Sequence, residues 1–168
     1  RVGLLLDSVS QPFNVGSIVR SAAAFGADHL WLCGNTAPLG HPGVSKTALG
    51  TQRLVEATVE PNPVAAAKAA ASAGLRVVAV ELADGAVPLH EAPLDGDVCL
   101  AVGNEEHPSA AQAFDLVPHL GHPARAEHHA AGQRLVGEGV HAALSSARAA
   151  SSSSVGGAVM VNASETVS

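Results

Sequence analysis

The sequence predicts an α/β protein, a parallel sheet flanked by helices in a Rossmann-like, doubly wound arrangement. Three observations carry that prediction. Short continuous apolar runs recur along the chain, as strands buried on both faces require. Segments with helical spacing or alanine-rich composition separate them, giving the strand–helix alternation of such sheets. Hydrophobic residues make up 47% of the 168 residues and aromatics only 2%, so the core is built from Ala, Val and Leu, which suit a sheet with helices laid closely on it.

The elements follow in order. Val2–Asp7 is an apolar run closed by Asp and reads as a buried strand. Ser8–Gly16 is rich in Ser, Pro, Asn and Gly and reads as a loop. Ser17 is placed to cap a helix to about Phe25, with Ile18, Ala22 and Phe25 on one face and Gly26 ending it. His29–Cys33 is a second buried strand, Gly34–Gly50 a long polar loop, and Leu54–Val59 a short strand. Pro63–Ala73 is a helix with Pro in its first turn and Gly74 after its end. Leu75–Leu82 and Val98–Gly103 are further buried strands, and Gly157–Val161 suits a last one.

Size and charge bound the function. A chain of 168 residues fits one domain with a core of its own. It does not begin with Met and stops at Ser168 just after an apparent helix start, so it reads as a trimmed domain or a fragment lacking its final helix. The formal charge of −6 argues against a basic footprint spread over the whole surface and leaves room for a local one. Cys33 and Cys99 sit in apolar runs and read as buried thiols of a reducing compartment. No apolar run is long enough to span a bilayer and no signal peptide is visible. The expected location is the cytoplasm.

Ligands of parallel α/β sheets bind beyond the carboxyl ends of the strands. Ser8–Gly16 and Gly103–Pro108 both follow such ends. In the first, Gly16 allows a tight turn or a close backbone approach. Asn14 can bond the backbone on either side. Arg20, expected near the start of the helix, offers a planar fork of donors suited to a phosphate.

These pieces resemble a known family. Asn14, Gly16, Ile18 and Arg20, followed by Ala23, Gly26 and Ala27, are similar to the first motif of the SpoU/TrmH branch of the SPOUT RNA 2′-O-ribose methyltransferases. Val44–Gly50 looks like the loop many of them carry after the second strand, and Leu100–Glu105 resembles their second motif, a strand ending in Gly-Asn-Glu. Met160-Val161-Asn162 is the nearest match to the third motif, with Met160 where Ser is usual. Residues 106–157 form a divergent or inserted stretch within the single methyltransferase domain, 1–168. Glu138 in Gly137-Glu138-Gly139 stays open beside Glu105 as the second-motif glutamate.

The resemblance implies a carboxyl-terminal deep trefoil knot, which periodicity alone could never suggest. It also implies S-adenosylmethionine as cofactor, a homodimer, and methyl transfer to a ribose 2′-hydroxyl of RNA, with transfer RNA favoured and ribosomal RNA next. Arg20, Asn14, Glu105 and Asn162 would be the catalytic set. Val102, Gly103, Asn104, Met160 and Val161 would hold the cofactor, and Arg20 and Lys46 the RNA. An arginine stays protonated, so Arg20 is expected to anchor phosphate and stabilise an oxyanion rather than act as the base.

Rival readings have sequence features of their own. A non-catalytic RNA-binding or dimerisation module would keep the fold and lose the cofactor. Gly137–Ala142 matches a dinucleotide fingerprint but lacks a good strand before it. His119, His122, His128 and His129 lack partner cysteines or a ligand frame for metal. No G-x-S-x-G elbow of a serine hydrolase is present.

Overall fold

The structure, a computed structural model, describes residues 1–80, 87–88, 91–92, 94–103, 141, 144–145 and 160–162. In chain order the elements are β1 (Val2–Asp7), α1 (Pro12–Phe25), β2 (His29–Cys33), α2 (Pro42–Ala48), a 3₁₀ turn η1 (Thr51–Arg53), β3 (Ala57–Val59), α3 (Pro63–Ser72), β4 (Arg76–Val80), β5 (Val87–Pro88), β6 (Val98–Gly103) and β7 (Met160–Asn162).

The strands form one sheet in the order β3-β2-β1-β6-β4-β7-β5, and every pairing is parallel. Because successive side chains in a strand face opposite ways, the sheet has two distinct faces. Leu4, Leu6, Leu30, Leu32, Val78, Val98, Leu100 and Val102 pack with Val15, Ile18, Val19 and Ala22 of α1 and with Val44 and Ala48 of α2. Leu5, Trp31, Cys33, Val77, Ala79, Cys99 and Ala101 pack with Ala66, Ala67 and Ala70 of α3. Helices therefore cover both faces, as the alternation of elements predicts.

The predicted strand runs contain β1, β2, β3, β4 and β6, with small shifts at the ends, whereas β5 falls between the runs Leu75–Leu82 and Val98–Gly103, where a loop is expected. β3 starts at Ala57 rather than Leu54, and α3 ends at Ser72. Both thiols are free and buried, as expected. Burial, with the charges of Asp7 and Glu60, pushes the Cys33 thiol up to about 12, so it stays neutral and inert at ordinary pH.

Two expectations fail in an instructive way. The stretch before Ser17 is helix, not loop: α1 starts at Pro12, whose fixed φ suits the first helical position. Ser17 is consequently no cap, and its hydroxyl donates to the Phe13 carbonyl at 3.0 Å inside the helix. Likewise Gly34–Gly50 is not loop throughout, because Pro42 opens α2, capped by the His41 ring, which accepts from the Gly43 amide at 3.0 Å. In both cases Pro and Gly mark helix starts and helix contacts instead of turns.

A single return from the carboxyl-terminal third is described beside α1. Leu144 is fully buried in the α1-side core. The His141 ring meets Phe25 edge-on, with centroids 4.9 Å apart.

Candidate active site

The carboxyl ends of β1, β2 and β6 lie side by side, with Asp7 opposite Cys33 on one flank and Gly103 on the other. Asp7 is the one buried charged side chain among the described residues. The Ser8 hydroxyl donates to it at 3.0 Å. The chain then turns through Ser8, whose φ of 56° is left-handed, and is pinned by Thr36. The Thr36 hydroxyl lies 2.6 Å from the Cys33 carbonyl and 2.9 Å from that of Leu6, and accepts from the Val9 amide at 3.2 Å. This lattice delivers Pro12 to the rim of the sheet, so the first turn of α1 stands above the strand ends.

α2 then crosses α1 at close range. A Cβ on Gly16 would overlap the Thr47 hydroxyl and the Val44 carbonyl and lie 3.0 Å from the Ala48 amide nitrogen. A Cβ on Gly43 would lie 2.8 Å from Pro12 Cβ. The Thr47 hydroxyl donates to the Phe13 carbonyl at 2.9 Å. Gly16 therefore serves close approach rather than a turn. The junction places Lys46, exposed and adjacent to Thr47, beside the first turn of α1. η1 extends this layer: the Thr51 hydroxyl donates to the Ala48 carbonyl at 2.6 Å, and the Gln52 amide to the Ser45 hydroxyl at 3.3 Å.

Asn14 is half-buried in the first turn of α1. Arg20 is not near the helix start. It lies in the third turn, about 12 Å along the axis from Pro12 at 1.5 Å per residue. It is exposed, as are Phe13, Ser17 and Ala24, and this 4-3-4 spacing sets all four on one stripe. Helical Cα–Cβ bonds tilt toward the amino terminus, so the arginine side chain leaves α1 in the direction of its first turn. The elements α1, α2 and η1 together hold three cations, Arg20, Lys46 and Arg53, and no carboxylate, whereas Asp7 is buried at the end of β1 and Asp28 and Glu56 precede β2 and β3. Asp28 accepts from the Val2 amide at 2.7 Å, at the amino end of the sheet. An overall acidic chain thus carries a locally basic layer.

Val102 is buried at the end of β6, followed by the half-exposed Gly103. The backbone of Met160–Asn162 forms β7, and β4 alone separates it from β6. Val80 at the end of β4 registers with Val161. The predicted cofactor positions on β6 and β7 thus converge on one stretch of the sheet rim. Asn104, Glu105 and Glu138 lie outside the described residues, as do His119, His122, His128 and His129. Among the described residues no group of three or more His, Cys, Asp or Glu could hold a metal ion, and no helix is long and apolar enough to cross a membrane.

Sequence reasoning missed Asp7, Phe13 and Thr47 as parts of this region. No local pattern marks the last two, whose places follow from the contact between α1 and α2.

The family described as SpoU rRNA Methylase matches residues 1–121. Among solved structures, the fold is similar to a TrmH-family protein from Porphyromonas gingivalis, at 30% identity and a TM-score of 0.68, covering 88% of this chain and 59% of that one. It is similar at 26% identity and a TM-score of 0.63 to a structure bearing on the 2-OH methylation of C/U34 on tRNA, covering 87% of this chain and 88% of that one. The SpoU methyltransferase AviRb from Streptomyces viridochromogenes, solved with AdoMet, shares the fold at 24% identity and a TM-score of 0.66, covering 88% and 59%. This chain thus spans less than two thirds of the Porphyromonas and Streptomyces proteins. No curated protein sequence matches it.

Proposed function

Because the chain belongs to the SpoU rRNA Methylase family, matched over residues 1–121, we propose that it transfers a methyl group from S-adenosylmethionine to a ribose 2′-hydroxyl of RNA. Transfer RNA is the favoured acceptor and ribosomal RNA the next. The observation that carries this reading is the α1–α2 junction. It sets Asn14 at the sheet rim and Arg20 on an exposed stripe of the same helix, within a layer that carries cations.

The strand ends suit the cofactor. Backbone groups of Val80, Val102 and Gly103, at the carboxyl ends of β4 and β6, would supply donors and acceptors for a nucleoside, and the buried Val102 would supply apolar contact. With Asn104, Met160 and Val161 they would hold S-adenosylmethionine, which when bound supplies an electrophilic methyl group. Arg20 stays protonated. Its role is to clamp an RNA phosphate and to stabilise the negative charge that develops on the attacking 2′-oxygen. The hydroxyl proton passes to a phosphate oxygen of the RNA. Asn14 orients Arg20 or the ribose, Lys46 adds a phosphate contact, Glu105 fixes the loop after β6, and Asn162 closes the site from β7.

The reading carries further assignments. The chain is one methyltransferase domain, acts as a homodimer, and works in the cytoplasm, a compartment that suits two free buried thiols. The placement of β7 between β4 and β5, which are consecutive in the chain, supports a carboxyl-terminal trefoil knot.

Calorimetric titration with S-adenosylmethionine, followed by methyl transfer to bulk transfer and ribosomal RNA, tests the proposal. Arg20→Ala is expected to lower transfer by about 100-fold or more while leaving cofactor affinity nearly intact. Equal loss of both would show that Arg20 holds the fold or the cofactor instead. Absence of cofactor binding in the unaltered chain would favour a non-catalytic RNA-binding or dimerisation module.

A further inference from the structure

The chain has three Phe, one Trp and no Tyr. Trp31 is buried, and Phe25 packs against the core and the His141 ring. Phe13, by contrast, is 51% exposed. It stands in the first turn of α1, on the stripe it shares with Ser17 and Arg20. Its backbone is held firmly, because its carbonyl accepts from both the Ser17 hydroxyl at 3.0 Å and the Thr47 hydroxyl at 2.9 Å. A ring on a fixed backbone loses little freedom when something flat settles on it.

The charge around it selects the kind of partner. Arg20 lies on the same stripe, and Lys46 and Arg53 are exposed on the elements locked against α1. Of the carboxylates next to these elements, Asp7 is buried at the end of β1, and Asp28 and Glu56 stand at the amino end of the sheet. An exposed aromatic on elements that carry three cations and no carboxylate of their own matches single-stranded nucleic acid, whose bases stack on rings while its phosphates take the positive charges. Exposed Leu49 and Leu54 add apolar surface to the same layer. That mixture would also suit a protein partner, but the excess of cations favours a polyanion.

We propose that Phe13 is a base-stacking residue. On it an unpaired RNA base settles, with Arg20, Lys46 and Arg53 gripping the flanking phosphates, so that the α1–α2–η1 layer fixes where the strand lies. This rests on the RNA methyl-transfer reading and adds to it the recognition of an unstacked, single-stranded segment.

The test uses the full chain with S-adenosylmethionine present and two probes: labelled bulk transfer RNA, and a single-stranded oligoribonucleotide carrying 2-aminopurine. The unaltered protein is expected to change the 2-aminopurine emission on binding. Phe13→Leu should remove that change and weaken binding about tenfold, with cofactor affinity and melting temperature unaltered. Phe13→Trp should restore both. Unaltered affinity and emission in Phe13→Leu would overturn the stacking role while leaving methyl transfer intact. A sedimentation shift from dimer to monomer in Phe13→Leu would overturn it in favour of a subunit interface. Failure of the unaltered chain to bind either RNA would overturn this inference and the RNA reading together, whereas cofactor binding would be measured separately.

Discussion

On one face of the sheet, α1 and α2 meet the strands with Val15, Ile18, Val19 and Val44, and meet each other through Gly16 and Gly43. On the other face α3 presents Ala66, Ala67 and Ala70, and its Cα atoms come within 8 Å of β1, β2 and β4. Both arrangements bury the sheet, but they constrain it differently. Alanines form a smooth surface, and a helix so built can be displaced slightly without losing a particular partner. The α1–α2 crossing depends on two missing side chains and on the Thr47 hydroxyl, which reaches across to the Phe13 carbonyl. The polar residues to which the proposal gives roles, Asn14, Arg20 and Lys46, all stand on the constrained side. The difference separates a layer that stabilises the fold from a layer that also holds chemical groups in fixed relation.

The largest expected effect tests the constrained side. A Cβ at position 16 would overlap Val44 backbone as well as the Thr47 side chain, and backbone cannot rotate away. Gly16→Ala should therefore cost roughly 3 kcal/mol, at the upper end of ordinary overpacking, read by urea denaturation. Because relief of the overlap must push α2 from α1, RNA affinity should fall in the same variant under conditions where it remains folded. Unchanged RNA affinity would separate the crossing from the site.

The counterpart on α3 should be milder. Ala67 is fully buried, so Ala67→Leu overfills the alanine layer and should cost about 2 kcal/mol. Cofactor and RNA affinity should stay as they were in the folded fraction. A loss of RNA affinity comparable with that of Gly16→Ala would erase the contrast between the two faces.

The same contrast explains what the sequence could reveal. Strands such as Val2–Asp7 and Val98–Gly103 were legible to the residue because burial on both faces demands an unbroken apolar run. α3 was legible because alanine favours helix wherever it stands. The start of α1 and the whole of α2 were not, because the glycines and prolines there answer to partners distant in sequence. Gly16 is explained by Val44 and Thr47, and no local pattern announces that. A helix of seven residues is also too short to show periodicity. Strand order was hidden for a similar reason, since nothing in Val98–Gly103 says that it pairs between β1 and β4. Of the candidate site, Asn14 and Arg20 were picked out by their place beyond a strand end and by family resemblance. Their separation along α1 follows only once the helix is known to begin at Pro12.

The smallest expected effect concerns the hydroxyl that ties the two helices together. Thr47 and Ser17 both donate to the Phe13 carbonyl. Thr47→Val keeps the shape and removes one donor. Since the other remains, the loss should be about 0.5 to 1 kcal/mol, at the lower end for a single hydrogen bond. Ser17→Ala alone should cost no more. The double variant leaves the carbonyl without either hydroxyl, so its cost should exceed the sum of the two single losses, as expected for donors sharing one acceptor. Strict additivity in the thermodynamic cycle would mean that the two bonds act independently. The α1–α2 junction would then be held by the fit of Gly16 against Val44, with the hydroxyl merely accompanying it.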